Sequence, residues 1–430
     1  MISIQFVRFL LPLVIAMVVQ EFGIQVFNGG MARMPRATET LASFGLAIGL
    51  MYFLTSPLAQ ARQLGLVLVD GRIALRRTGA FVLIFSLLLS GLLLSLAVGP
   101  LSVWVIEDLH GVDAAMAQVV RQALLWLVPL TVLRGMSRFY SGMLMRCRRT
   151  EVVSVASMAS IGVSIAAVFL LLPAGFVRER PILLPILAMY AGMMVEIGTL
   201  LWGHTRYTRR MIGDKGEALT FSDVFRFFWP LALIMAIQGG SRPLINLFIA
   251  REAAGTQALA VLTVVYALGH IPYSWLNEIR SLAPAFRDRE NSLFHIRRFV
   301  AGCCLVSFAV AVIMSWTPLR EYILQHLIGV HAELAARCKA PLIVFSFFPF
   351  AVVFRGYYHG IGLLERRTQA MALSAPARIG AIGSALMILP VFGVDGATRG
   401  VAALLSGFAL EATAVWWGVR GKKVRGAQRK

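Results

Sequence analysis

Residues 226–246 read RFFWPLALIMAIQGGSRPLIN, and residues 8–28 read RFLLPLVIAMVVQEFGIQVFN. The segments share an Arg-Phe, a Pro-Leu, a glutamine and a closing asparagine in the same register. Arg8 pairs with Arg226, Pro12 with Pro230, Gln20 with Gln238 and Asn28 with Asn246, always 218 residues apart. Each is an apolar run of the length that crosses a bilayer, broken by a proline and a few polar side chains. The same offset maps Arg62 onto Arg280, and Tyr140, Gly142 and Arg148-Arg149-Thr150 onto Tyr358, Gly360 and Arg366-Arg367-Thr368. Near the ends of the halves, Gly192, Glu196 and Trp202-Gly203 return as Gly407, Glu411 and Trp417-Gly418, now 215 residues apart. A hydrophobic unit used twice is the plan of many membrane transporters, whose substrate site lies between the repeats.

The composition agrees with that plan. Of 430 residues 58% are hydrophobic and 14% charged, and the mean hydropathy is +0.75, outside the range of soluble domains. Apolar runs predict twelve transmembrane helices, at 5–27, 41–60, 74–98, 115–142, 151–173, 182–204, 222–249, 256–280, 298–317, 335–361, 369–390 and 397–419. The first run carries Glu21 and Gln25 and lacks a small-residue cleavage site, so it reads as a retained helix. The expected organisation is an all-α polytopic membrane protein. A six-helix bundle (1–205), a linker (206–220), a second six-helix bundle (221–420) and a basic tail (421–430) follow in order. Six spans separate equivalent positions, so the halves should share one orientation and be related by a pseudo-twofold along the membrane normal.

A net charge of +20 would suggest nucleic acid in a soluble protein, but its distribution excludes that partner here. Basic residues crowd the loops after helices 2, 4, 6, 8 and 10, including Arg72, Arg76, Arg77, Arg146, Arg148, Arg149, Arg206 and Arg209. The alternate loops are poor in them, and 100–113 holds Glu107, Asp108 and Asp113. Positive-inside asymmetry then puts both termini in the cytoplasm. The cysteines Cys147, Cys303, Cys304 and Cys338 show no metal spacing and read as buried free thiols. No phosphate-binding loop, zinc-binding helix or nucleophile elbow is present, so the reading is non-enzymatic, with no cofactor and no metal.

Ionisable side chains inside spans are costly and mark candidate sites. Helix 7 presents Gln238, Arg242 and Asn246 as a stripe, and helix 1 presents Glu21, Gln25 and Asn28. Helix 8 aligns Tyr266, His270, Tyr273, Asn277 and Arg280, and helix 10 places Arg355 and His359 one turn apart. We take Arg242, Arg355, Gln238, Asn246, His270, Tyr273, Glu21 and Asn28 as candidate substrate contacts. Arg280, Glu278, Arg138 and Arg134 are candidates for a cytoplasmic entrance, and Glu196 and Glu411 for coupling to protons or sodium. Guanidinium groups favour an anion, because their planar fork donates two parallel hydrogen bonds to phosphate or carboxylate.

Each assignment has a plainer alternative. Glu21 could simply pair with Arg242, and Glu278 with Arg280 or a nearby carbonyl. Arg134, Arg138 and Arg280 could snorkel to the interface. Glu196 and Glu411 could cap a small-residue contact with Gly192 or Gly407, and His270 could be a packing residue beside Pro272.

At these residues the chain resembles the progressive ankylosis (ANK) family. The similarity lies in Phe228-Trp229-Pro230-Leu231-Ala232-Leu233, Ser241-Arg242-Pro243 with Asn246-Leu247-Phe248, and Gly269-His270-Ile271-Pro272-Tyr273. It continues in Glu278-Ile279-Arg280, Pro284-Ala285-Phe286, Phe345-Ser346-Phe347-Phe348-Pro349, Gly393 to Thr398, and Arg8-Phe9-Leu10. What the resemblance implies is a multidrug/oligosaccharidyl-lipid/polysaccharide (MATE-like) fold of two six-helix bundles. It also implies export of pyrophosphate, nucleotides such as ATP, or citrate. The chain departs from the animal members in ending on a short basic tail, where they carry a long acidic extension. That looks like a bacterial member in the inner membrane.

The expectation is therefore a monomeric alternating-access transporter in the bilayer, moving a small polyanion outward through a central site between its two six-helix halves, with a proton or sodium as coupling ion. Three other readings stay open. A cation or drug extruder of the same fold would work through Glu21, Glu196 or Glu411. A lipid-intermediate flippase would need a lateral apolar groove, and a non-transporting scaffold would act through its basic loops.

Overall fold

The computed structural model describes residues 2–109, 113–209, 219–252, 254–287, 292–327 and 332–420. Twelve helices of fifteen or more residues follow one another along them: α1 (Ile2–Ala32), α2 (Ala37–Thr55), α3 (Arg72–Val98), α4 (Ala114–Arg146), α5 (Thr150–Leu171), α6 (Leu183–Gly203), α7 (Phe221–Ala250), α8 (Gly255–His270), α9 (Ser292–Trp316), α10 (Phe348–Leu364), α11 (Ser374–Ile388) and α12 (Gly396–Arg420). Among the described residues ten stretches are long and apolar enough to cross a membrane. An eleventh results if α8 and the segment up to Ala285 count as one bent span. The first predicted span falls on α1, where the apolar stretch Ile4–Met17 is shorter, and many α1 side chains lie outside the described residues.

The chain divides into two compact units, Val7–Phe228 and Met1–Phe6 with Trp229–Lys430. In the first, Met51, Leu93, Ile106, Leu124 and Leu127 build a core between α2, α3 and α4. The outward side chains are apolar too: Leu88 and Leu170 in the first unit, Leu305 and Met387 in the second, are all exposed. An apolar exterior around polar pockets is what a lipid solvent selects.

Local chemistry explains the helix ends. Asp113 caps α4 by accepting the Met116 N–H at 2.8 Å. Thr220 and Asp223 cap α7 reciprocally: the Thr220 N–H donates to the Asp223 carboxylate at 2.9 Å, and the Asp223 N–H donates to Thr220 Oγ1 at 3.2 Å. The run 256–280, predicted as one span, is broken. It bends by 48° between His270 and Ser274, where Pro272 cannot continue the hydrogen-bond ladder. The Pro272 carbonyl accepts from Ser307 Oγ at 2.6 Å and from the Trp275 indole at 2.9 Å, which fixes the bend.

The 218-residue echo has a structural cause in each unit. Arg148 and Arg366 both take left-handed backbone conformations, with φ of 57° and 54°. Each ends its helix in the same way. The Arg149 N–H reaches back to the Leu144 carbonyl at 2.9 Å, and the Arg367 N–H to that of Gly362 at 2.7 Å. Gly142 lies against the Arg62 carbonyl, where a Cβ would collide, and at Gly360 a Cβ would stand 3.0 Å from the Arg280 carbonyl. A glycine is retained in both halves because backbone meets backbone there.

Candidate functional site

α12 brings Glu411 into the interior of the second unit with no exposed surface. A bare carboxylate there would be very unfavourable, so its partners decide what the site is. Arg378 Nη1 of α11 donates to Oε2 at 2.7 Å, Arg355 Nη1 of α10 donates to the same oxygen at 3.1 Å, and Gln238 Nε2 of α7 donates to Oε1 at 2.8 Å. The guanidiniums are held from behind. Arg355 Nη2 donates to Asn277 Oδ1 at 2.6 Å, and Arg378 Nε donates to Ser241 Oγ at 3.0 Å. Both also lie over the Phe408 ring, at 4.7 and 4.1 Å from its centroid. One carboxylate thus ties together α7, α10, α11, α12 and the short helical segment after α8.

Beside this cluster is a cavity of about 440 Å³. Gln238, Arg242, His270, Tyr273, Asn277, Arg280, Arg355, His359 and Arg378 supply its polar lining. Tyr273 is stacked on Phe345 and Phe348 and meets the His270 ring edge-on at 5.2 Å. The Arg242 guanidinium lies 4.8 Å over the Tyr266 ring. His359 is buried, and its Nε2 has no hydrogen-bond partner among the described residues. Four guanidiniums line the cavity, and two of them, Arg355 and Arg378, share the one carboxylate of Glu411. In a weakly screened interior that pair keeps an excess of positive charge, which attracts an anion.

The first unit has the corresponding pocket with different chemistry. Glu196 of α6 is half-buried and accepts a hydrogen bond from Ser137 Oγ of α4 at 2.6 Å. Around it, a cavity of about 170 Å³ is lined by Ser157, Ser160, Ser164, Arg134 and Arg138. Arg134 lies 4.5 Å over the Tyr52 ring. Ser137 and Ser160 precede Arg355 and Arg378 by the repeat offset of 218. The packing bears out the match. The position of a Cβ on Gly192 would meet Ser160 and Ser164, and that of one on Gly407 would meet Ile382 and Arg378. Two serines of one half therefore stand where the other half has two arginines.

Of the candidate substrate contacts, Gln238, Arg242, His270, Tyr273 and Arg355 line the one cavity. Asn246 does not join them; it is exposed on α7. Glu21 and Asn28 have side chains outside the described residues. Arg280, expected at an entrance, lines the same cavity as Arg355, while Glu278 is buried outside the lining. Glu411 is the hub of the arginine cluster and not a glycine cap, since its oxygens are taken by Gln238, Arg355 and Arg378.

Sequence reading missed Arg378 and Phe408. Arg378 had a signal: it is the sole charge between Arg367 and Asp395, in the middle of an apolar span. Burial also accounts for the thiol of Cys147, in the turn after α4, where it is pushed above its ordinary range.

The family model described as progressive ankylosis protein (ANKH) matches residues 3–317. Solved transporter structures share the whole fold. A MOP superfamily transporter from Pyrococcus furiosus, described as having a binding pocket of reverse polarity that suggests a different function, superposes with a TM-score of 0.70 at 13% identity. The match covers 100% of this chain and 97% of that one. The MATE transporter ClbM in complex with Rb+ matches at a TM-score of 0.72 and 14% identity over the same shares. A multidrug resistance MATE family transporter of the MOP superfamily, in an outward-facing conformation, matches at 0.68 and 16%, again over 100% and 97%.

Proposed function

The chain belongs to the progressive ankylosis protein (ANKH) family and has the fold of MATE transporters, and from that premise we propose that it exports small polyanions through the arginine-lined cavity of its second half. The observation that carries the proposal is the pair Arg355 and Arg378 sharing one carboxylate, that of the buried Glu411. A cation carrier gains nothing from such an excess of positive charge. Pyrophosphate, nucleotides such as ATP, and citrate are the candidate cargoes, since each offers several anionic oxygens to forked donors. A cavity of about 440 Å³ falls in the range of small-molecule sites.

In the empty site Glu411 holds the two guanidiniums in place. An arriving polyanion competes for them, while Gln238, Asn277 and Tyr273 supply further hydrogen bonds. If a proton or sodium ion drives the cycle, Glu196 is the better coupling group. Glu411 is committed to two arginines, whereas Glu196 is bonded by a serine hydroxyl. The protein would work by alternating access, as a monomer in a bacterial inner membrane with both termini cytoplasmic. The basic loops support that orientation.

Calorimetric titration of purified protein with pyrophosphate, ATP and citrate tests the proposal, with Arg355→Ala and Arg378→Ala as controls. Saturable binding by one of them, lost in both variants, is the expected result. Binding unaffected by either substitution would remove the cavity from the mechanism.

A further inference from the structure

The Arg355 and Arg378 guanidiniums carry like charge and share one oxygen of Glu411, so they repel each other across it. Asn277 accepts a hydrogen bond from the first and Ser241 from the second, which ties each down at one edge. The Phe408 ring meets both, with the Arg355 Cζ 4.7 Å and the Arg378 Cζ 4.1 Å from its centroid. We propose, resting on the reading of this cavity as the polyanion site, that Phe408 is its positioning residue. The ring face keeps the two guanidiniums in place when a bound polyanion draws them off Glu411.

Geometry and chemistry both support that role. Phe408 stands one turn before Glu411 on α12 and lines the cavity, so one face of the helix offers a carboxylate and a ring together. Gly407 beside it leaves room for the Arg378 stem, since a Cβ there would come within 3.3 Å of the Arg378 Cγ. The ring is itself fixed. It is buried and packs edge-on against Phe348 at 5.3 Å and Tyr273 at 6.3 Å. The negative face of an aromatic ring attracts a cation without offering an acceptor. A bound anion therefore has nothing to displace there, and the contact outlasts the loss of the Glu411 hydrogen bonds.

The repeat varies in step with this role. By the 215-residue offset that pairs Gly192 with Gly407 and Glu196 with Glu411, Phe408 corresponds to Met193. Met193 lines the first-half pocket, where Ser137 and Ser160 stand in place of the two arginines. The position faces a pocket in both halves. It is aromatic where the partners of the carboxylate are guanidiniums, and aliphatic where a serine takes their place.

The test places mono-, di- and trifluorinated phenylalanine at position 408 of the full chain and titrates each protein in detergent with pyrophosphate, ATP and citrate by calorimetry. Fluorine drains the ring face of negative charge while keeping its shape, so the fold is preserved. Glu411 still holds the empty arrangement, and the loss falls on the bound state. Affinity should drop with each added fluorine, reaching about tenfold below wild type as two cation–π contacts weaken. Phe408→Met, the exchange towards the first-half side chain, should bind about as weakly as the trifluorinated protein, and Phe408→Tyr should recover most of that loss. Melting curves of the empty proteins show that each is folded. The proposal is overturned if affinity is flat across the fluorinated series, or if Phe408→Tyr binds no better than Phe408→Met. Two failures stay distinct. If wild type binds none of the three anions, the reading of the cavity falls and this role with it. If wild type binds one, Arg378→Ala loses it and the fluorinated proteins keep it in full, the role of Phe408 falls alone.

Discussion

Replacing Glu411 by glutamine should separate the two jobs assigned to that carboxylate. The substitution keeps the shape but removes the negative charge that Arg355 and Arg378 share, and those side chains are only 9% and 5% exposed. Removing one partner of a buried ion pair costs about 3–5 kcal/mol, and here one removal leaves two guanidiniums uncompensated. The empty variant should therefore lose at least about 3 kcal/mol of stability. A polyanion can restore the missing charge, and in the variant it no longer competes with an internal carboxylate. Relief of that competition is worth about 1.5–3 kcal/mol, the strength of one charged hydrogen bond, or roughly 10- to 100-fold in affinity. Thermal melts in detergent, with and without pyrophosphate, measure both effects. Glu411→Gln should melt lower than wild type when empty and gain more from saturating ligand, because tighter binding to the folded state adds more stability. Transport into vesicles should nevertheless slow, since release becomes harder. The reasoning is refuted if the empty variant is as stable as wild type, or if its ligand-induced shift is no larger.

The other predictions are independent of that one. Arg355→Ala and Arg378→Ala should each weaken polyanion binding by roughly 30-fold or more in calorimetry, with Arg355→Lys intermediate because it keeps charge but not the fork. Gly142→Ala should cost about 1–3 kcal/mol by thermal melt and Gly360→Ala less, since only the first collides outright with a backbone carbonyl. Glu252→Gln should lower stability modestly. Its carboxylate accepts from the Gly396 N–H at 2.8 Å and from Arg399 Nη1 at 2.7 Å in a partly exposed setting. Alkylation of Cys147 should rise with pH along a curve displaced above that of a free thiol. The burial that raises its titration disfavours the thiolate, and a rate profile matching glutathione would contradict this.

Much of the architecture was legible because membrane spans are written in length and hydropathy, and because the repeat preserves backbone necessities. Gly142 with Gly360 and Arg148 with Arg366 recur since a close carbonyl and a left-handed turn recur. The break at Pro272 was harder to see. A run that stays apolar past a proline gives no sign of whether the chain bends gently or stops. At the site, stripe reading finds neighbours on one helix but not across helices. Arg378 and Glu411 are 33 residues apart on different helices, and no spacing rule joins them. The same rule overreached at Asn246. Eight residues on from Gln238, a helix has turned about 80° beyond its starting face, which takes that side chain out of the cavity.

The serines at 137 and 160 and the arginines at 355 and 378 carry a lesson about ancestry. A duplicated chain holds two drafts of one pocket, and each can be revised without rewriting the other. The helix contacts made by Gly192 and Gly407 are the same whichever draft is in use. Cargo polarity can then drift while architecture stands still. A lineage of such carriers could move from one charge class to the opposite by a few codon changes in one half, leaving the other as a record of the earlier state.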